Sequence, residues 1–233
     1  MTSAYAHPAS VSSAAAVERA AFIRNTYLHL GFAILAFVGV EWFLLQQSWV
    51  PALIQKMTAG FGWFVVLGAF MGVSWLAERL AVSDASRGVQ YAGLLLFVVA
   101  EAVIFLPLLF LAAYHSGDPG VIVKAGVTTG FVFGGLTLTA FVTGKDFSFL
   151  RSFLIVGGFV SMGIIIVSMI FGFNLGTIFA GAMALFASVA ILYNTSNLIH
   201  HYRTDQYVSA ALSLFASVAL LFWYILRIFL SRD

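Results

Sequence analysis

Seven times between Thr26 and Leu230 the chain runs apolar for long enough to cross a bilayer, and almost nothing charged interrupts the runs. A hydrocarbon core about 30 Å thick takes ~20 apolar residues per helix. Inside it the backbone must satisfy its own hydrogen bonds, so each run has to be helical. Composition agrees: 9% of residues are charged, against the roughly 25% that a soluble surface carries. The 62% hydrophobic fraction and a mean hydropathy of +1.03 belong to a chain solvated by lipid. The fold class that follows is an all-α membrane protein of seven transmembrane helices.

The spans are expected at Thr26–Gln46, Gly60–Leu80, Gly88–Ala113, Val121–Thr143, Phe149–Phe171, Leu175–Leu198 and Val208–Leu230. Residues 1–25, rich in Ala and Ser, read as a mobile lead-in to a transmembrane domain over 26–233, and they lack the basic and apolar regions of a cleavable signal. Short loops make consecutive helices antiparallel neighbours, which gives three hairpins with the seventh helix left over. Arg19, Arg24, Arg79, Arg87, Lys145, Arg151 and Arg203 fall on one side, and Lys56, Lys124, Arg227 and Arg232 on the other. The richer side takes the cytoplasm, and with it the N-terminus. Trp42, Trp49 and Trp63 mark the opposite interface. Gly68 with Gly72, and Gly130 with Gly134, form GxxxG pairs expected at helix contacts.

Polar groups inside the spans are where function is sought. Glu101 lies near the middle of the third span, where an acidic residue costs ~2.5–3.5 kcal/mol on insertion scales and normally faces a cavity or a partner. Pro107 lacks an N–H, so the carbonyl of Val103 loses its helical donor. Carboxyl and carbonyl together would suit a cation or a proton relay; the plainer alternative is a protonated Glu bonded to a neighbouring helix. Glu41, in the outer third of the first span, is a second and weaker candidate. Asn194, Thr195, Ser196 and Asn197 cluster near the end of the sixth span, and Ser209, Ser213 and Ser217 recur on one face of the seventh. Close helix packing explains that seam, and so would the lining of a polar path.

Several chemistries are excluded. With no Cys, disulfides and thiolate ligands fall away. Lysines stand only at 56, 124 and 145, so the seventh span offers none for a Schiff base. There is no HExxH, no GxSxG and no phosphate-binding loop. His200 and His201 point about 100° apart on a helix, poor geometry for one metal. The basic residues are too few and scattered for nucleic acid. No enzyme, cofactor or metal site is expected.

The run Gly135-Leu-Thr-Leu-Thr-Ala-Phe-Val-Thr-Gly-Lys-Asp-Phe-Ser-Phe-Leu150 resembles the segment that marks the Bax inhibitor-1 family, also called the transmembrane BAX inhibitor motif family. Arg24-Asn-Thr-Tyr-Leu28 is similar to that family's entry segment. Ile191–Ile199, Ala211–Leu214 and Tyr224–Arg227 resemble its last two helices. The resemblance covers roughly residues 18–230. It implies three helix hairpins around a central C-terminal helix, and a calcium leak gated by pH through an aspartate pair on the sixth and seventh helices. At the aligned positions this chain carries Asn194 and Ser217, which can hydrogen-bond but hold no titratable proton. Any acid dependence would then come from Glu101, Glu41 or a vestibule histidine. The Lys145, Asp146, Ser148 loop reads as structural, with Asp146 or Ser148 capping the fifth span.

Two functions fit. One is a passive cation leak channel, calcium first, with Asn194 and Ser217 as a constitutive latch. The other is a non-conducting protein that modulates stress response or the stability of other membrane proteins. The expected partners are membrane lipid, calcium ion and other membrane proteins. Short loops point to the inner membrane of a bacterium.

Overall fold

A computed structural model describes residues 10–82 and 86–231. Residues 1–9 of the expected lead-in, and Arg232, lie outside them. Among the described residues eight helices follow in order: α1 (Ala16–Leu45), α2 (Val50–Thr58), α3 (Gly62–Val82), α4 (Arg87–His115), α5 (Val121–Thr143), α6 (Leu150–Phe171), α7 (Gly176–His200) and α8 (Tyr207–Leu230). All but α2 are long and apolar enough to cross a membrane, which gives the seven spans.

The boundaries agree within a few residues except at the start. Helix α1 begins at Ala16, ten residues before the expected Thr26. The added turns, Ala-rich and with Glu18 in the first turn, are good helix former by propensity, yet polar enough to escape a search for apolar length. Ahead of them, the buried Val11 donates its N–H to the carbonyl of Tyr202 at 2.9 Å, tying this segment to the α7–α8 loop. Helix α2 was not expected either. Its nine residues start with Pro51 in the first turn and bury Val50 and Met57, but they are too short to register as a span.

Helix α8 is the axis of the bundle. Of its apolar window 67% is buried, against 56% for α4 and 22% or less for every other span. Helices α1, α3, α4, α5 and α7 all pack against α8, while α6 lies outside and rests mainly on α7. In chain order the first six spans make three up–down pairs, but the closest packing is of α3 on α4 and of α7 on α8. Phe105 ties α4 to α8, stacked on Phe222 and edge-on to Trp223 at 4.9 Å. At the end where α8 begins, His29 of α1 stacks on Tyr91 of α4 and contacts Tyr207.

The GxxxG expectation is corrected. A Cβ on Gly68, Gly72, Gly130 or Gly134 would meet nothing within 4 Å, and these faces are exposed. The close approach is at Gly93 of α4, where a Cβ would stand 2.6 Å from the Ala77 carbonyl and 2.7 Å from the Ala81 nitrogen of α3. A small-residue ridge tells which face can come close, not whether this chain supplies the neighbour.

Candidate functional site

A cavity of about 570 Å³ opens between α3, α4, α6, α7 and α8. On α3 its lining runs from Trp63 through Phe70 and Ser74 to Glu78. The fifteen steps from Trp63 to Glu78 span about 22 Å at ~1.5 Å per residue, most of a hydrocarbon core. Helix α4 contributes Phe97, Glu101 and Phe105, one turn apart on a single face, and α8 contributes Ala216, Leu220, Trp223 and Arg227. The α6–α7 loop closes one end with Phe173 and Asn174.

Glu101 faces this cavity with 7% of its surface exposed, and no hydrogen bond or ion pair to it is found among the described residues. Val103 instead turns its side chain to the outer surface. Two residues on is about 200° around the helix, so the carbonyl freed by Pro107 stands on the far side from the Glu101 carboxyl. The expected pairing of those two groups is not made, although α4 continues unbroken through Pro107. Glu41 does not line the cavity. It is 4% exposed on α1, and neither carboxyl oxygen has a hydrogen-bond partner among the described residues. Glu78 was missed by the sequence reading because it stands beside Arg79 near a span end; its i, i+4 spacing from Ser74 was the available signal.

Asn194 and Ser217 meet. The Asn194 Nδ2 donates to Ser217 Oγ at 2.7 Å and lies 3.2 Å from the Ser213 carbonyl. Ser217 donates in turn to that carbonyl at 3.0 Å. Tyr202 OH donates to Ser213 Oγ at 3.0 Å, and Ser213 passes its own proton to the Ser209 carbonyl. The seam therefore follows α8 toward the α7–α8 loop. There a second pocket of about 360 Å³ is lined by Ser148, Arg151, Tyr193, Asn197, His201, Tyr202 and Gln206. Neither Asn194 nor Ser217 lines either space itself; Ala216, next to Ser217, lines the first, and Tyr193, next to Asn194, lines the second.

The loop motif folds differently from the capping expectation. Helix α5 ends on Gly144, whose φ of +58° is left-handed and suits glycine. The α6 N-cap is Phe149, with no side-chain cap bond, so neither Asp146 nor Ser148 caps that helix. Asp146 Oδ1 accepts the Ser148 N–H at 2.9 Å inside the loop, and Asp146 Oδ2 lies 3.1 Å from His201 Nε2 at the end of α7. The first of these contacts, with the second, holds the Asp146 carboxyl below its ordinary value. Lys145 contributes its carbonyl, 3.4 Å from Ser196 Oγ, and that oxygen accepts the Phe147 N–H at 2.8 Å. The loop is thus fastened to α7.

Three of the segments that carry the resemblance also converge inside the bundle. Tyr27, Thr137 and Thr195 bring hydroxyls from α1, α5 and α7 against one another, buried and without satisfying geometry. Among the described residues no three His, Asp or Glu side chains gather as metal ligands.

Fold and site together define a multi-pass integral membrane bundle with an acid-bearing internal cavity beside its central helix. Residues 19–233 match the family described as inhibitor of apoptosis-promoting Bax1, and the chain belongs to that Bax inhibitor-1 family. It is 32% identical over 224 residues to an uncharacterized protein of Pseudomonas aeruginosa, covering 94% of each chain. It is 30% identical to Protein LIFEGUARD 4 of Arabidopsis thaliana, over 91% of this chain and 85% of that one. An uncharacterized membrane protein of Vibrio cholerae is 26% identical over 88% and 87% of the two chains.

Proposed function

We propose that this protein is a passive cation leak channel, with calcium as the first ion to test. The observation that carries the reading is the cavity beside α8, which follows α3 for about 22 Å and presents the Glu101 carboxyl, without a protein partner, to its interior. Calcium takes several hard oxygen ligands. Glu101 and Glu78, with Ser74, Ser168 and Asn174, supply side-chain oxygens along the same space. The Asn194–Ser217 contact acts as the latch between this cavity and the pocket under the α7–α8 loop, and it carries no titratable proton. The face where α1 begins is cytoplasmic by its excess of Lys and Arg, and the membrane is a bacterial inner membrane. No catalytic role is proposed.

Liposomes holding a calcium-sensitive dye test the reading. Reconstituted protein should admit calcium faster than empty liposomes, and Glu101→Gln should abolish the difference. Equal influx with and without folded protein rejects the channel.

A second reading has its own observation. The exposed ridges at Gly68/Gly72 and Gly130/Gly134 are smooth faces of the kind that let another membrane helix approach closely. They support a protein that acts by binding other membrane proteins, and pull-down with Gly68→Leu as control tests it.

A further inference from the structure

The cavity carries chemistry that an inorganic cation does not use. Around Glu101 its walls are aromatic. Phe97 and Phe105 stand one turn before and after the carboxyl on α4. Phe70 of α3 contacts Phe97 with ring centroids 6.3 Å apart, and Trp223 of α8 meets Phe105 edge-on at 4.9 Å. A buried carboxyl with no partner among the described residues, amid rings from three helices, is the arrangement that recognises an organic cation. The carboxylate supplies the countercharge and the ring faces attract the positive centre. At about 570 Å³ the space is the size of a small-molecule site.

We infer that this cavity binds a lipophilic organic cation, a substituted ammonium or phosphonium with an apolar body, whose charge rests on Glu101 within the Phe70, Phe97, Phe105 and Trp223 rings. The other charges along the cavity fit such a guest. Arg227 lies one turn beyond Trp223, about two turns and ~11 Å from the level of Glu101, so it does not occupy the carboxylate. Glu78 lies toward the opposite end of α3 and adds negative potential. A zwitterionic lipid headgroup fits poorly, since its phosphate would come in beside Glu101. The occupant is a small molecule, and its binding does not require that the protein conduct.

Equilibrium dialysis of tetraphenylphosphonium against the full chain in nanodiscs tests this, with empty nanodiscs subtracting lipid partition. One saturable site per chain is expected. Glu101→Gln should weaken it at least about tenfold, the scale of losing a charged partner. Phe70→Leu, which keeps the charge, should weaken it about two- to thirtyfold. Tetraphenylborate, equal in shape and opposite in charge, should not compete. Binding no greater than in empty nanodiscs overturns the inference, and so does equal binding by folded Glu101→Gln or by both variants. Saturable binding without calcium flux would reject the channel and leave this site standing; flux without saturable binding would do the reverse.

Discussion

Asn194 donates to Ser217 across 2.7 Å, joining α7 to α8 by a hydrogen bond between two groups that do not titrate. Two carboxyls at that separation would share a proton and change charge with pH. An amide and a hydroxyl keep one hydrogen bond throughout. Leak through the wild-type chain should therefore be flat with respect to this contact between about pH 5 and 8. The Asn194→Asp, Ser217→Asp double variant should make it pH-dependent. Dye influx measured at several pH values checks both halves, and a double variant as flat as wild type would detach the contact from gating.

Glu101, Glu78 and Glu41 should separate by position. Glu101→Gln should abolish calcium influx, and Glu78→Gln should reduce it, since both line the cavity. Glu41→Met should leave it unchanged, because Glu41 lies off that space, and should raise thermal stability, because it removes two buried oxygens that have no partner among the described residues. Influx assays and melting curves on the three variants give the comparison.

Gly93→Ala should destabilise the bundle by about 1–3 kcal/mol, the usual cost of overpacking. The added methyl would press on backbone atoms of α3, which cannot rotate aside. Gly68→Ala and Gly130→Ala, with open space around them, should match or slightly exceed wild type, as alanine is the better helix former. Melting temperatures in one detergent would show the contrast.

Asp146 is held below its ordinary value by the Ser148 N–H, with His201 assisting. A depressed carboxyl contributes its full stabilisation above the unfolded value, about 3.9, and loses it as pH falls through the lower folded one. Protection of the α5–α6 loop against hydrogen exchange should thus be unchanged by Asp146 titration from pH 8 to 5 and fall only in stronger acid. Asp146→Ala should show low protection at every pH.

Much of the fold was legible because bilayer thickness turns hydrophobic length into a span count. The same measure overlooked whatever needed no apolar length: the early turns of α1 and all of α2. Glu101 was legible as a lone acid in mid-span; the rings that α3, α4 and α8 bring to the same cavity left no local trace. Glu78 was not legible, because beside Arg79 it read as interfacial. Glycine pairs marked smooth faces, yet the tight contact fell to the isolated Gly93, since closeness depends on the helix opposite. The loop motif suggested a cap because Asp and Ser precede a helix. Fastening to Ser196 and His201, about fifty residues away, left no local trace.

Helix α8 is central, and it leaves the ribosome after the six other spans described here. Helices α1, α3, α4, α5 and α7 enter the membrane before the helix on which they all pack. Until Tyr207–Leu230 follows, the inner face of α4, Glu101 included, has no axial cover. The Val11 N–H meanwhile waits for a carbonyl nearly two hundred residues downstream. Assembly of this bundle is therefore completed from its final hairpin inward, and a chain interrupted after the sixth span would hold six inserted helices with no centre.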